Sequence, residues 1–280
     1  MATCTKDELI NRFASAKGKL LLFGCGAGVT GKMAEEGGAD AIGFLSDCYF
    51  QKMGYGSNVP MLGLCDNNRI ILDMAKQISP VIKKVPLFAG VLFNNLMENW
   101  SAYFEQLTTL GISAVMNYPS AGIHEGRIDT ALREANMSIE LEAENMKKAS
   151  DFGFYTIGYA YRENDALVFS SQKMDMVVLS FDDADTNTFA PEHLWISEIG
   201  RITDRIKSLN KEIKVLVHGD SYFIDHYLKA VYADTAVDGL FCSDMLDKAI
   251  MHDSIVTNTF RFKHNTLSEG GANDVIRNNG

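Results

Sequence analysis

Eight short apolar runs, separated by longer stretches of helical pattern, constrain the fold of this chain more than any other feature. The runs are Leu20–Gly24, Ala41–Leu45, Leu87–Leu92, Ser113–Tyr118, Phe154–Tyr159, Met176–Phe181, Val215–His218 and Gly239–Cys242. Each is apolar nearly throughout rather than alternating. A strand covered on both faces needs that pattern, and it favours a parallel sheet. Helical patterns lie between the runs at Asn68–Ile78, Asn99–Thr109, Ile139–Ser150, Leu194–Leu209, Ser221–Tyr232 and Asp244–Phe260. Eight strand–helix units without a Pro/Gly/Ser-rich linker predict a single α/β domain, a closed (β/α)8 TIM barrel over residues 1–264. An amphipathic helix at Lys6–Ala16 is expected to pack against one end of it. The 280-residue chain suits a barrel of about 250 residues with modest insertions. Residues 265–280, rich in Asn, Gly and Ser, read as a mobile tail.

Charge and cysteine usage narrow the partners. A formal net charge of −10 repels phosphate backbones and anionic lipid, so neither nucleic acid nor a membrane surface is expected as a partner. No apolar run approaches the ~20 residues of a membrane span. The N-terminus opens on Lys6-Asp7-Glu8, which starts a helix rather than a signal sequence. Cys4, Cys25, Cys48, Cys65 and Cys242 are odd in number and contain no C-x-x-C pair. They read as reduced thiols of a cytoplasmic protein.

In such a barrel the chemistry lies at the C-terminal ends of the strands. Gly24, Ser46, Asn94, Asn117, Tyr159, Asp182, His218 and Ser243 each follow an apolar run and are expected to ring that mouth. The connections Ser46–Asn67 and Pro119–Met137 are long enough to be lids or binding loops. His218-Gly219-Asp220 ends the seventh run, where His218 can serve as acid, base or metal ligand, or cap the next helix. Asp182, Asp183, Asp185, Asp220 and Asp244 follow the last three runs. Such a ring can hold a divalent metal such as Mg2+ or an amino group, or supply helix N-caps. Asp182 and Asp220 are the candidate metal ligands. Glu140, Glu142 and Glu144 cannot share one helix face. A solvated face is the default, with Glu142 or Glu144 the one to turn inward.

The stretch from Gly24 to Lys32 contains G-x-G-x-x-G at Gly26, Gly28 and Gly31, with Asp47 placed where a ribose-binding acid would sit. In an open dinucleotide-binding sheet those glycines would cradle a pyrophosphate. The same stretch nearly matches a phosphate loop, but Met33 stands where a Ser or Thr would hold magnesium. Within a barrel it reads instead as a tight turn of small residues lining another site, and no nucleotide is expected.

Several of these segments, taken in order, resemble one family. They are Gly24-x-Gly26-Ala27-Gly28, Glu36-Gly37-Gly38-Ala39-Asp40, Gly54-x-Gly56-Ser57, Ala89-Gly90-Val91, Asn117-x-Pro119 with Gly122 and Gly126, Leu141-Glu142-x-Glu144, and His218-Gly219. From about Leu20 to Lys263 the chain resembles the phosphoenolpyruvate hydrolase-like proteins, also described as TIM-barrel signal-transduction proteins. The resemblance implies a (β/α)8 barrel related to the phosphoenolpyruvate mutase and isocitrate lyase group. It also implies homo-oligomers and a hydrolase or lyase acting on a small oxo- or phospho-acid. On this footing His218, Glu142 and Asn117 are candidate catalytic residues. Gly24, Gly26, Gly28, Ser46, Asn94, Tyr159, Gly219 and Ser243 are candidate substrate contacts.

The chain also departs from the family pattern. It lacks the arginines implied near Tyr49, Gln51 and Tyr55, and carries Phe93-Asn94-Asn95 in place of Gly-Thr-Asp. His218-Gly219-Asp220-Ser221 and Cys242-Ser243-Asp244-Met245 replace His-Gly-Gly-Pro and Gly-Ala-Ser-Ser runs. These changes remove positive charge and add negative charge where phosphate is held. Phosphoenolpyruvate is therefore expected to bind weakly without a divalent cation, and better in Asp220→Gly. A barrel that has lost catalysis and serves as a binding or signalling domain is the competing reading.

Overall fold

The computed structural model describes residues 4–62, 65–180, 192–219, 221–243 and 245–264. Eight strands run β1 (Leu20–Cys25), β2 (Ala41–Phe44), β3 (Leu87–Val91), β4 (Ile112–Asn117), β5 (Tyr155–Ala160), β6 (Met176–Ser180), β7 (Lys214–His218) and β8 (Gly239–Cys242). All neighbours are parallel, they pair in sequence order, and β8 returns to β1, so the sheet is closed. The eight apolar runs thus become the eight strands, with bounds shifted by a residue at most ends. Closure also removes the open-sheet crevice that a dinucleotide-binding fold requires.

The helices of this unit are α1 (Lys6–Ala14), α2 (Gly28–Gly37), α3 (Ser46–Lys52), α4 (Asn67–Ile78), α5 (Trp100–Thr109), α6 (Gly126–Glu134), α7 (Ile139–Phe152), α8 (Glu163–Ser171), α9 (Glu192–Leu209), α10 (Ser221–His226) and α11 (Leu228–Asp234). A second unit follows Ser243, and its described residues form one long helix, α12 (Met245–His264). The expected mobile tail, 265–280, lies outside the described residues. So do Asp182, Asp183, Asp185, Asp220 and Asp244.

Two of the connections expected as loops carry helices. The first opens directly into α3, so Ser46 and Asp47 sit in a first helical turn. The second contains α6, which buries none of its residues. Ile128, Ala131 and Leu132 recur at helical spacing, but the face they form is only partly covered, and Gly122 and Gly126 favour a loop reading. The Asp129–Arg133 pair of α6, one turn apart with N···O at 3.0 Å, supplies local support.

Strand residues of one parity point into the barrel, where Leu22, Phe88, Met116, Tyr155, Ile157, Val178, Leu216 and Phe241 pack together. Residues of the other parity face the helices and form the larger outer core. Helix α1 closes the N-terminal end. Its Thr5 hydroxyl accepts the Glu8 N–H while the Glu8 carboxylate accepts the Thr5 N–H, a reciprocal cap. The helix then drives Leu9 and Phe13 into the interior cluster, with Phe13 edge-on to Tyr155 at 5.3 Å.

The register is fixed at that same end by a repeated device. Asp40, Asp175 and Asp238 each stand one residue before β2, β6 and β8. Each accepts, at 2.8 Å, the N–H of the second residue of the preceding strand: Leu21, Thr156 and Val215. Each also donates its own N–H to that residue's carbonyl. All three pairs consequently share one offset, with the third residue of the odd strand opposite the first of the even strand: Leu22 with Ala41, Ile157 with Met176, Leu216 with Gly239. The equivalent position before β4 is Gly111, which has no carboxylate. There the β3–β4 register shifts, between Leu87 and Phe88.

Candidate functional site

The barrel topology carries the polar strand-end residues to one mouth. Gly24, Asn117, Tyr159 and His218 lie in the last two residues of their strands, and Gly26, Ser46, Asn94, Gly219 and Ser243 follow theirs within three. Ser46, Asn94, Asn117, Tyr159, His218 and Ser243 are all buried. Within the mouth they divide into two groups.

The first group is built on Glu142. Helix α7 packs against β4 and β5, and its periodicity turns Glu142 inward while Glu140 and Glu144 stay exposed. The solvated default for this acidic run therefore fails at Glu142, which is fully buried. Its carboxylate collects four donors. Oε1 accepts from Asn94 Nδ2 and from the Ala121 N–H at 2.6 Å. Oε2 accepts from Asn117 Nδ2 and the Ser120 hydroxyl, both at 2.8 Å. A carboxylate offers about four lone-pair sites, so this one is saturated. Burial pushes the Glu142 pKa up to about 7 against the pull of those donors. Asn117 passes the order onward, because its Nδ2 also donates to the Tyr159 carbonyl and its Oδ1 accepts the Tyr159 N–H.

The second group faces the barrel interior. The Tyr159 hydroxyl donates to Ser180 Oγ at 2.9 Å and meets His218 Nδ1 at 3.3 Å. Tyr118, the residue after Asn117, turns inward and donates its hydroxyl to Asp47 Oδ2 at 3.1 Å. Its ring packs edge-on to Tyr159 at 5.2 Å. Asp47 is buried, which raises its pKa, while the Cys48 N–H, the Tyr118 hydroxyl and nearby His218 pull it back. Phe241 closes the group, edge-on to both Tyr159 and His218.

Asn117, Glu142 and Asn94 therefore meet, as do Tyr159 and His218, and the backbone of Tyr159 joins the two groups. Ser46 belongs with neither by a hydrogen bond; its Oγ is buried and unpartnered among the described residues. Sequence reasoning did not single out Tyr118, Ser120 or Ser180, and it read Asp47 only as a ribose acid. In the sequence Tyr118 reads as the last apolar residue of a strand. Its inward parity, two after Met116, was the signal available.

The glycine-rich turn owes its composition to packing. A methyl group on Gly26 would meet the Cys48 carbonyl oxygen at 2.2 Å, and one on Gly24 would meet Leu45 Cδ1 at 2.6 Å. The β1–α2 turn thus presses on the start of α3. Gly28 lies against Val81, and Gly219 against the Phe223 ring. Among the described residues no three His, Cys, Asp or Glu side chains gather to hold a metal ion. The expected ligands Asp182 and Asp220 lie outside the described residues.

A model of the phosphoenolpyruvate hydrolase-like family matches residues 6–264. The ToMV susceptible protein tm-1(GCR26) of Solanum lycopersicum is 26% identical over 257 residues, covering 89% of this chain and 34% of that protein. The chain thus spans about a third of the tomato protein's length. Among solved structures, phosphoenolpyruvate phosphomutase from Streptomyces platensis subsp. rosaceus superposes with a TM-score of 0.64 at 14% identity, over 93% of this chain and 88% of that one. A phosphonopyruvate hydrolase in complex with oxalate and Mg2+ superposes with a TM-score of 0.59 at 12% identity, over 93% and 88% of the two chains. At these identities the likeness is one of fold.

Proposed function

The chain belongs to the phosphoenolpyruvate hydrolase-like family, and we propose that it is a barrel enzyme acting on a small oxo- or phospho-acid at the C-terminal mouth. The reaction class proposed is hydrolysis or C–C or C–P cleavage. The observation that carries this reading is the enclosed polar chain of Ser180, Tyr159 and His218, with Asp47 and Tyr118 beside it. A histidine oriented by a buried phenol is equipped to move a proton at a bound acid. Asn117 and Glu142 fix the frame around it. In this reading Ser46, Asn94, Ser243 and the backbone at Gly24, Gly26, Gly28 and Gly219 contact the substrate.

A divalent cation such as Mg2+ is part of the proposal, with Asp182 and Asp220 as its ligands. Its chemistry would be to offset the negative charge of the bound acid. A homo-oligomer acting in the cytoplasm completes the reading. No helix among the described residues is long and apolar enough to cross a membrane. The competing role, a binding or signalling barrel without catalysis, is favoured by the aromatic filling of the mouth by Tyr118, Tyr159 and Phe241.

The test is calorimetry and turnover with oxalate, pyruvate, oxaloacetate and phosphonopyruvate, each with and without Mg2+. Saturable binding with turnover that disappears in His218→Asn supports the enzyme. Binding without turnover of any of these acids supports the second role.

A further inference from the structure

Three carboxyl groups are buried at this mouth. Asp165 in the first turn of α8 caps its own helix by accepting the Arg162 N–H at 3.1 Å, and the other two, Glu142 and Asp47, differ in what they leave open. Glu142 has every lone pair engaged: Asn94 and Ala121 take one oxygen, Asn117 and Ser120 the other. It has no acceptor to turn toward a bound molecule, and its donors all belong to the chain segments it ties together. Asp47 is less fully engaged, with the Cys48 N–H and thiol beside it and its two oxygens unequal. Tyr118 holds Oδ2, whereas Oδ1 is buried with no hydrogen-bond partner among the described residues. A buried carboxyl oxygen left without a partner is costly unless something else uses it. The adjacent Ser46 Oγ is in the same state.

We propose that Asp47 is the carboxyl group that exchanges a proton with the acid bound at the mouth, and that Glu142 is a positioning residue. The inference rests on the reading above that a small acid binds there. As the acid arrives, Asp47 Oδ1 carries a proton taken from solvent and donates it to a ligand oxygen. If chemistry follows, the Asp47 O–H bond breaks as the ligand O–H bond forms, and the reverse transfer restores it. No other reactant is consumed.

The geometry suits the role. Asp47 stands in the first turn of α3, and the titratable groups around it are Cys48 on its own helix, Tyr118 beyond β4 and His218 on β7, with Tyr159 and Tyr161 next in line beside Tyr118. Burial favours the neutral carboxyl, as the transfer requires. Glu142 acts at one remove. By holding Asn117, Ser120 and Ala121 it fixes both ends of the segment that carries Tyr118, and Tyr118 holds Asp47.

The experiment is calorimetry of oxalate binding, with and without Mg2+, in buffers of different ionisation enthalpy across a pH series. The wild-type protein is expected to take up as much as one proton per oxalate at neutral to alkaline pH. Asp47→Asn should bind oxalate with no proton uptake at any pH. Tyr118→Phe should keep the uptake but move its midpoint to higher pH, because the charged carboxylate loses a donor. Uptake that persists in Asp47→Asn, or that is missing from the wild type while oxalate binds, overturns the assignment of Asp47. Should Asp47→Asn not fold, an unmoved midpoint in Tyr118→Phe overturns it. Failure of oxalate to bind the wild type at all overturns the reading of the site and this inference with it. Isotope-edited infrared spectra of the ligand-free protein add a measurement that needs no ligand. A protonated-carboxyl band absent from Asp47→Asn is expected, and an identical spectrum in that variant counts against the proposal.

Discussion

Glu142 on α7 and Asn117 at the end of β4 are joined by a 2.8 Å hydrogen bond in which the amide donates to Oε2, and both side chains are fully buried. The same amide group reaches the Tyr159 carbonyl and accepts the Tyr159 N–H. One carboxylate therefore orders two neighbouring strand ends.

This bond gives the first prediction. Glu142→Gln turns an acceptor oxygen into an NH2 that faces donors, leaving at least one buried donor unsatisfied. Stability should fall by about 1–3 kcal/mol, read as a lower denaturant midpoint with unchanged slope. An unchanged midpoint would show that the four donors find other partners.

The pH dependence follows from the same group. The folded Glu142 pKa, raised to about 7 by burial, exceeds the ordinary carboxylate value that applies in the unfolded chain. The folded state therefore binds the proton more readily. Its contribution is fully present below the ordinary value and is lost as pH rises through about 7. Asp165, pushed up to about 6 by burial, acts with the same sign. Denaturant titrations across this range should show stability declining from mildly acid to neutral pH, with a shallower decline in Glu142→Gln.

Gly26→Ala tests the origin of the glycine turn. The new methyl group would lie 2.2 Å from the Cys48 carbonyl oxygen, and backbone cannot move aside as a flexible side chain would. A loss of about 1–3 kcal/mol or more is expected, with the thermal midpoint lowered whether or not a small acid is present. Full stability with weakened acid binding would instead assign the glycine to ligand contact.

The clamp at the other end of the barrel predicts a matched pair of effects. Asp40→Ala and Asp238→Ala each strip the acceptor from a strand N–H and should each cost about 1–3 kcal/mol. Hydrogen exchange should speed up at Leu21 in the first variant and at Val215 in the second. Exchange that stays slow at both amides would refute the clamp.

Much of this architecture was legible because burial on both faces leaves a simple trace. Leu87–Val91 or Met176–Ser180 can be read as strands from apolar continuity alone. Their order with the intervening helices then fixes the closed barrel. Helices α3 and α6 are hidden for different reasons: Ser46-Asp47-Cys48 buries polar residues at a helix start, and the short Ile128, Ala131, Leu132 stripe of α6 is set among loop-forming glycines. The site was legible in position and only partly in membership. Any residue after a strand end reaches the mouth, so His218, Asn117 and Tyr159 could be placed there. Which way Glu142 turns is carried not by the three alternating acids but by the apolar stripe Ile139, Ala143, Met146 and Ala149, which places Glu142 on the inward face of α7. The strand-edge aspartates also leave a trace. In Ala39-Asp40-Ala41, Met174-Asp175-Met176 and Val237-Asp238-Gly239, a single acid interrupts apolar sequence just before the strand.

Those three aspartates also give the barrel a grain. Each ties an odd strand to the even strand that follows it, so the wall is made of zipped couples: β1 with β2, β5 with β6, β7 with β8. The β3–β4 couple, with Gly111 in place of an acid, is held without a zip. Seams between couples have no such fastening. A chain recircularised with its new ends between β4 and β5, or between β6 and β7, would keep every zip intact. One opened between β5 and β6 would still hold Asp175 and Thr156, but would have to close that zip between opposite ends of its sequence.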